Sequence, residues 1–354
     1  MIDQDALAAS LKEIDGRLVE LRARGDAPGM ADAQARRAYV FFQAERYAEA
    51  DEEMAKAVDM YREVGDARGR GETQLARALI LGQLPGRSSD ERACLDSAKA
   101  LGRLAEDPVT EMKARQRLAH LSEGEGDWKG AELEVTRMIR RVGALGLEKG
   151  LVDTHRHRGT IRMAQGRPDA ALQDFERALE SAKKVGDPQQ TLLVRIEVRA
   201  VQSIALAGRG EVEPYSAMLE DAEALGETGF AATVELQEAA DLLRGGRNVE
   251  GLAKAVDARA SALAAPNPVL YTVACLLIAE AREKLEDRVG VLEVLLGCKA
   301  TLEYALGKEA GQQVVLVLES LRTRWGEEVL AEAREGYRAW AREQAAVRGE
   351  PSPG

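Results

Sequence analysis

Aromatic residues, cysteines and prolines are scarce in this sequence. Of its 354 residues 4% are aromatic, 3 are cysteines and 10 are prolines. Alanine, leucine, glutamate and arginine, which all form helices readily, are abundant instead. Runs of β-branched residues at a period of two, which strands require, are nearly absent. The sequence therefore predicts an all-α protein.

Long apolar runs are also missing. No stretch approaches the roughly 18 to 20 consecutive apolar residues that a transmembrane helix needs. The first residues, MIDQDALAAS, contain no basic start and no apolar run of signal-peptide length. We therefore expect a soluble cytoplasmic protein with no insertion into a membrane.

An excess of basic residues is absent as well, since the formal net charge is −11. A nucleic-acid partner is not expected, because no basic stripe is available to neutralise phosphates. The cysteines Cys94, Cys275 and Cys298 show no CxxC spacing and lie within helical patterns. They are predicted to be small buried residues in a reducing compartment, and neither zinc binding nor a disulfide is expected of them.

What the sequence does contain is a repeat of 40 residues. Turn glycines with polar flanks lie at multiples of 40 from one another: Gly86, Gly126, Gly166, Gly246 and Gly326. Dipeptides in which Asp or Asn precedes Pro recur every 80 residues, at Asp107, Asp187 and Asn267, and the boundaries between them carry Leu-Gly dipeptides that end at Gly146, Gly226 and Gly307. Asp or Asn caps a helix start, Pro fits the first helical position, and Gly ends a helix in the left-handed conformation. The period therefore predicts repeated helical hairpins.

One unit of this repeat carries a family resemblance. Its residues are Gly159, the turn Gly166-Arg167-Pro168-Asp169, Ala171, Phe175, Ala178 and Asp187-Pro188. This order of a small residue, a turn, Ala, an aromatic, Ala and Pro resembles a tetratricopeptide repeat (TPR). The 40-residue period resembles the long-helix TPR variants of bacterial regulatory proteins. The family's early Trp is replaced here by Leu75, Arg115 and His155, and His155 is predicted to pack between helices.

The resemblance implies an α-solenoid of about eight TPR-like hairpins that form a right-handed superhelix. An N-terminal helical segment at 1–28 is expected to cap the array at 29–346. The alternative for this helix is a dimerising coiled coil. A disordered tail is expected at 347–354. The expected hairpins are near 30–65, 68–105, 108–145, 148–185, 188–225, 228–265, 268–306 and 308–346. The fifth is irregular, because its turn has slipped to Gly208-Arg209-Gly210 and Pro214 falls early in its expected second helix. This irregularity is read as sequence drift or as a hinge.

In TPR arrays the first helices of the hairpins line a concave groove that holds the ligand. Carrying over the family's inward positions gives the candidate lining Tyr39, Phe42, Lys113, Gln116, His120, Arg156, Thr160, Arg195, Leu236 and Leu276. The basic members are expected either to converge on an acidic segment of a partner or to form solvated pairs with residues such as Glu123 and Asp153. The leucines are expected either to receive an amphipathic helix or to belong to the core.

No motif supports catalysis, since GxSxG, a P-loop and HExxH are absent. His155 and His157 are two residues apart, so they point to different faces of a helix and cannot chelate one ion together. No catalytic residue, metal site or cofactor is therefore predicted. The leading hypothesis is a non-enzymatic adaptor or scaffold that holds a protein or peptide. Its long repeats resemble those of bacterial proteins. The alternative is a sensor for a small effector or a signalling peptide, and the oligomeric state is left open.

Overall fold

The protein is described by a computed structural model over residues 4–205, 214–226 and 228–348. Within these ranges it is helical with no strand, which confirms the all-α prediction. The helices are α1 (Gln4–Arg24), α2 (Ala27–Gln43), α3 (Tyr47–Val64), α4 (Ala67–Leu81), α5 (Ser88–Leu104), α6 (Pro108–Gly124), α7 (Trp128–Ala144), α8 (Glu148–Ala164), α9 (Pro168–Val185), α10 (Pro188–Ala205), α11 (Tyr215–Ala224), α12 (Thr228–Arg244), α13 (Asn248–Ala264), α14 (Pro268–Lys284), α15 (Arg288–Leu306), a 3-10 helix (Lys308–Gly311), α16 (Gln312–Trp325) and α17 (Glu327–Arg348).

The chain divides into two compact units, Met1–Val185 and Gly186–Gly354. In the first unit α1 packs on α2, and each later helix packs on the helix before it, up to α9. In the second unit α10 to α17 pack in the same sequential way, and α17 also packs on α15. Within the described ranges, no helix combines the length and the apolar character needed to cross a membrane.

The predicted turn glycines all have positive φ angles. Their φ angles are 73° at Gly86, 76° at Gly126, 70° at Gly166, 76° at Gly246 and 82° at Gly326. Positive φ strains any residue that carries a Cβ, so glycine is the residue of choice at these points. The turns predicted from the 40-residue period are therefore confirmed.

The predicted boundary caps are confirmed too. The Asp107 carboxylate accepts hydrogen bonds from the N–H groups of Val109 and Thr110, at 3.0 and 3.4 Å. Asn267 accepts from Val269 and Leu270 in the same way, and α6, α10 and α14 each begin at the proline that follows the capping residue. A side-chain acceptor satisfies N–H groups that have no partner inside the helix, which fixes where each helix starts.

Small residues bring the two helices of a hairpin close together. A Cβ built on Gly159 in α8 would lie 2.7 Å from the Phe175 ring of α9, so no larger residue fits there without a shift. The alanines of the second helices are fully buried at Ala98, Ala131, Ala171, Ala178 and Ala258. This close approach is the packing expected from the repeat pattern.

Ion pairs connect successive hairpins of the first unit. Arg77 Nε in α4 lies 2.6 Å from Asp51 Oδ1 in α3, and Arg117 Nε in α6 lies 2.7 Å from Glu91 Oε1 in α5. Each pair joins the second helix of one hairpin to the first helix of the next. These directional contacts help to orient successive repeats, which also pack through apolar side chains.

Several bounds differ from the sequence-based expectation. The N-terminal helix ends at Arg24, inside the expected segment 1–28, whereas α17 includes Val347 and Arg348, which the expectation assigned to the tail. Pro214 lies immediately before α11 in extended conformation rather than inside the helix, because its ring suits a helix start better than an interior. The expected turn at Gly208–Gly210 and residues 349–354 lie outside the described ranges. The handedness of the superhelix and the division into cap, array and tail stay predictions.

Two further expectations concern buried residues and the first helix. Cys94, Cys275 and Cys298 are buried, as predicted. Leu7 and Leu21 of α1 are buried as well, since α1 packs on α2. Part of the apolar face of α1 is therefore covered within the chain itself.

Candidate functional site

A cleft opens between α6 and α8, with the end of α7 beneath it. Its volume is about 480 Å³. Its lining residues are Pro108, Val109, Met112, Lys113, Gln116, His120, Met138, Val142, Leu145, Leu147, Gly150, Asp153, Thr154 and His157. We call it the α6–α8 cleft. Three of the ten predicted groove residues, Lys113, Gln116 and His120, line it.

The spacing of the α6 residues explains why they share the cleft. Val109, Met112, Gln116 and His120 follow one another at intervals of three or four residues, and Lys113 comes four residues after Val109, which places all five on one face of a helix. The opposite face of α6 carries residues that are buried, such as Ala114 and Leu118. The same helix therefore supplies both core and cleft.

The mouth of the cleft is apolar. Val109 is 59% exposed, Leu147 is 53% exposed and Leu145 is 41% exposed. Met112, Met138 and Val142 continue this surface into the cleft. Large apolar side chains gathered at one opening are typical of a surface that receives another molecule.

Lys113 adds a positive charge to this apolar surface. Its side chain is exposed, and its ammonium forms no ion pair with any residue of the described ranges. Asp153 of α8 also lines the cleft, so the two long walls carry opposite charges. The site can thus orient a bound segment by charge as well as by apolar contact.

Histidines occupy one end of the cleft. His120 of α6 and His157 of α8 lie with their ring centroids 5.1 Å apart. His157 Nε2 lies 2.5 Å from Glu123 Oε1. Burial, together with the neighbouring His157, lowers the pKa of His120 below its usual value, so this imidazole is neutral near pH 7.

The structure does not gather all the predicted basic residues in the cleft. Arg156 and Thr160 belong to α8 but are not among the residues that line it, and the Thr160 hydroxyl donates to the Arg156 carbonyl of its own helix. Arg195 belongs to the second unit, where its guanidinium pairs with Asp221 of α11. Of the predicted basic cluster, only Lys113 and His120 line the α6–α8 cleft.

Tyr39 and Phe42 form a separate surface on α2. Tyr39 is 55% exposed, and its ring stacks on Phe42 with centroids 6.3 Å apart. Phe42 also meets Tyr47 of α3 and packs against the core of the first hairpin. Phe42 contributes to that core, Tyr39 is exposed beside it, and neither residue lines the α6–α8 cleft.

The two predicted groove leucines have different surroundings. Leu236 is only 6% exposed and packs in a core cluster with Ala258 and Ala274, so the core interpretation holds for it and it offers no groove surface. Leu276 is half-buried and lines a cavity of about 460 Å³ whose walls also include Val317 and Leu321. Sequence periodicity could not separate the two because both lie on apolar faces of first helices.

A further cavity was not predicted from the sequence. It lies among α15, α16 and α17 with a volume of about 330 Å³ and is lined by Leu292, Leu296, Leu318, Leu330, Arg334, Tyr337, Arg338, Ala341 and Arg342. We call it the arginine pocket. Its three arginines recur every four residues along α17, and none forms an ion pair with a residue of the described ranges. That spacing is visible in the sequence, but three of the four leucines that line the pocket, Leu292, Leu296 and Leu318, come from α15 and α16.

Comparisons with known proteins yield structural likeness only. No family model matches the chain. No curated protein matches it either. The chain is similar to BtubC (BKLC) from P. vanneervenii, with 15% identity, a TM-score of 0.47, and coverage of 66% of this chain and 92% of that one. It is also similar to the apo form of the quorum sensor NprR from B. thuringiensis, with 13% identity, a TM-score of 0.49, and coverage of 98% and 89%.

A third similar structure is the STAND protein with a tetratricopeptide repeat sensor from Pyrococcus horikoshii. It has 13% identity and a TM-score of 0.49, and the match covers 90% of this chain and 54% of that one. All three TM-scores are below 0.5.

The architecture follows from the chain's own repeat. Helical hairpins recur at the 40-residue period, with left-handed glycines at their turns and small residues between their helices. This chain is a TPR-like helical repeat protein. α6 and α8 are the first helices of successive hairpins, and both line the α6–α8 cleft.

Proposed function

We propose that this TPR-like protein is a non-enzymatic adaptor that holds a segment of a partner protein in the α6–α8 cleft. The observation that carries the proposal is the position of the unpaired Lys113 beside the apolar mouth formed by Val109, Leu145 and Leu147. An amphipathic segment with an acidic residue complements this surface. Its apolar side chains fill the cleft, and its carboxylate meets Lys113.

The shape of the surface favours a segment over a compact small molecule. The cleft itself holds about 480 Å³, and the exposed Val109, Leu145 and Leu147 extend the apolar surface beyond it. A peptide covers both the cleft and its rim, whereas a small ligand would leave the rim leucines in water. The bound segment is therefore expected to contact both α6 and the loop before α8.

The experiment is a selection from a library of random peptides on the purified full chain. Selected peptides are expected to be amphipathic and acidic, and their affinity is then measured for the wild type and for two variants. Lys113→Glu should weaken them about tenfold or more through charge repulsion, and Leu147→Asp should weaken them through the loss of apolar contact.

Lys129→Glu is the matched control, because Lys129 is exposed on α7 but does not line the cleft. It should bind the selected peptides as the wild type does. Peptides that bind both cleft variants with wild-type affinity would contradict the adaptor proposal.

The arginine pocket favours a second candidate, a sensor for a small effector. Arg334, Arg338 and Arg342 lie above a floor of leucines, which suits an anionic group attached to an apolar body. An unpaired guanidinium beside an apolar wall is well placed for a carboxylate, because charged hydrogen bonds strengthen away from water.

Two probes of equal chain length distinguish binding of the anionic group from binding of the apolar body. Dodecanoate should raise the melting temperature of the wild type, and dodecanol should do so less. Arg338→Glu should remove the difference, whereas Lys308→Glu, at an exposed position outside the pocket, should keep it. Equal shifts in melting temperature with both probes would contradict an anion site in the arginine pocket and therefore the sensor hypothesis.

A further inference from the structure

Two of the three histidines in the chain come together with a carboxylate at the end of the α6–α8 cleft. His120 and Glu123 are three residues apart on α6, so they lie on the same face of that helix. His157 comes from α8, 34 residues after Glu123. One ligand atom from each residue lies within 4.8 Å of the others. We propose that His120, Glu123 and His157 bind a Zn²⁺ ion.

The distances require only small adjustments. With zinc–ligand bonds of about 2.0–2.2 Å, the ligand atoms of a tetrahedral site stand roughly 3.3–3.5 Å apart. Glu123 Oε1 and His157 Nε2 are 2.5 Å apart, so this pair opens by about 1 Å to admit the ion between them. The remaining pairs start within 4.8 Å and close by at most about 1.5 Å.

The surroundings permit these movements. His120 is exposed, and Glu123 and His157 are half-buried, so rotation of their side chains does not disturb the core. The Glu123 carboxylate already contacts His157 in this structure. This contact holds two ligands near their positions before the metal arrives, which lowers the entropy lost on binding.

The ligand chemistry points to a transition metal. Imidazole nitrogens favour zinc and its neighbours over the hard cations magnesium and calcium, which prefer oxygen ligands. The metal-binding form of histidine is the neutral imidazole. Two imidazoles and one carboxylate also match the ligand types that zinc accepts.

Three protein ligands leave one tetrahedral position open. His120 and His157 both line the α6–α8 cleft, so the fourth ligand comes from the cleft side, as water or as a carboxylate of a bound molecule. Bound zinc also joins α6 to α8, which belong to successive hairpins. The zinc site goes beyond the adaptor function and does not depend on it.

Isothermal titration of the chelator-treated full chain with ZnCl₂ tests the site without any partner. One zinc per chain is expected, and MgCl₂ should give no saturable heat. His157→Gln and Glu123→Gln should each weaken zinc binding at least about tenfold, because each removes a ligand. Far-UV circular dichroism checks that both variants keep their helices.

Glu125→Gln is the matched control. Glu125 is an exposed acid near the end of α6 that pairs with Arg92 and lies outside the cluster, so its variant should bind zinc as the wild type does. X-ray absorption of the bound zinc should show nitrogen and oxygen neighbours at about 2.0–2.2 Å. Sulfur neighbours at about 2.3 Å would place the ion on cysteine instead and overturn the assignment. Unchanged affinity in His157→Gln, or no saturable zinc binding, would overturn it equally.

Discussion

Asp174 of α9 and Arg158 of α8 form a two-pronged ion pair in the interior of their hairpin. Arg158 Nη2 lies 2.6 Å from Asp174 Oδ1, and Arg158 Nε lies 2.9 Å from Oδ2. The Asp174 side chain is fully buried. His155 Nδ1 at 3.3 Å and Arg162 Nη1 at 2.9 Å complete its surroundings. A carboxylate enclosed in this way stays charged, because its partners replace the water it has lost.

The same polar contact recurs in other hairpins. His155 and Asp174 are 19 residues apart, and Arg115 and Glu134 form a buried pair at the same separation, with Nη1 2.6 Å from Oε2. Gln34 donates to Glu53 at a separation of 19 residues in the first hairpin. Buried polar pairs that fit only one alignment of two helices favour that alignment over others. His155 is 8% exposed, so its predicted place between helices is confirmed.

Removing the charge of Asp174 should destabilise the protein strongly. Asp174→Asn leaves the buried Arg158 without its counter-ion, and we expect a loss of about 3 kcal/mol in unfolding free energy. Urea unfolding followed by circular dichroism measures it. Asp169→Asn is the matched control, because Asp169 is exposed in the first turn of the same helix and should change stability by less than about 1 kcal/mol. Equal losses in the two variants would contradict the buried-pair account.

Asp174 should also give stability a specific dependence on pH. Burial by itself raises the pKa of Asp174, but hydrogen bonds from His155 and Arg158 and the charges of Arg158 and Arg162 outweigh it and lower the pKa from 3.8 to about 2. A carboxyl whose pKa is lowered by folding contributes stability above its unfolded pKa and loses it as the pH falls through the folded value. The contribution is therefore complete above about pH 4 and disappears toward pH 2.

Urea midpoints measured between pH 6 and pH 2 check this dependence. The difference between wild type and Asp174→Asn should be constant above about pH 4.5 and should shrink below it. Two curves that remain parallel down to the acid limit would show that the ionisation of Asp174 does not contribute.

The close contact between Gly159 and Phe175 predicts that an added methyl group lowers the stability of the protein at Gly159 but not at Gly124. Gly159→Ala places a Cβ 2.7 Å from the Phe175 ring, so overpacking should outweigh the better helix propensity of alanine by about 1 kcal/mol. Gly124→Ala is the control, since a Cβ there has no neighbour within 4 Å. Thermal unfolding should show a lower midpoint for the first variant and an equal or higher midpoint for the second. Phe175→Leu should restore part of the loss in Gly159→Ala by making room for the methyl group.

Binding at the α6–α8 cleft should depend on salt through Lys113. If an acidic peptide pairs with this ammonium, raising the ionic strength should slow association with the wild type by screening the attraction. Lys113→Gln should associate more slowly at low salt and depend less on salt, whereas Lys129→Gln should behave as the wild type does. Stopped-flow fluorescence with a labelled peptide from the library selection measures both rates. A salt dependence that survives Lys113→Gln would place the electrostatic attraction elsewhere.

The sequence by itself determined where the helices turn and where they start. A left-handed glycine such as Gly166 and a capping residue such as Asp107 act within a few residues, so their effect can be read from the local order of amino acids. The small residue at Gly159 and the aromatic at Phe175 could also be paired in advance, because the repeat pattern places them in the two helices of one hairpin.

Only the tertiary structure decided which side chains from different hairpins meet. His120 and His157 come from different helices and meet with their ring centroids 5.1 Å apart, whereas spacing along one helix concerns only His155 and His157. Leu236 and Leu276 show the same limit, since one is buried and the other lines a cavity. Local periodicity gives the face of a helix, but the rotation and separation of neighbouring helices depend on packing across the whole interface.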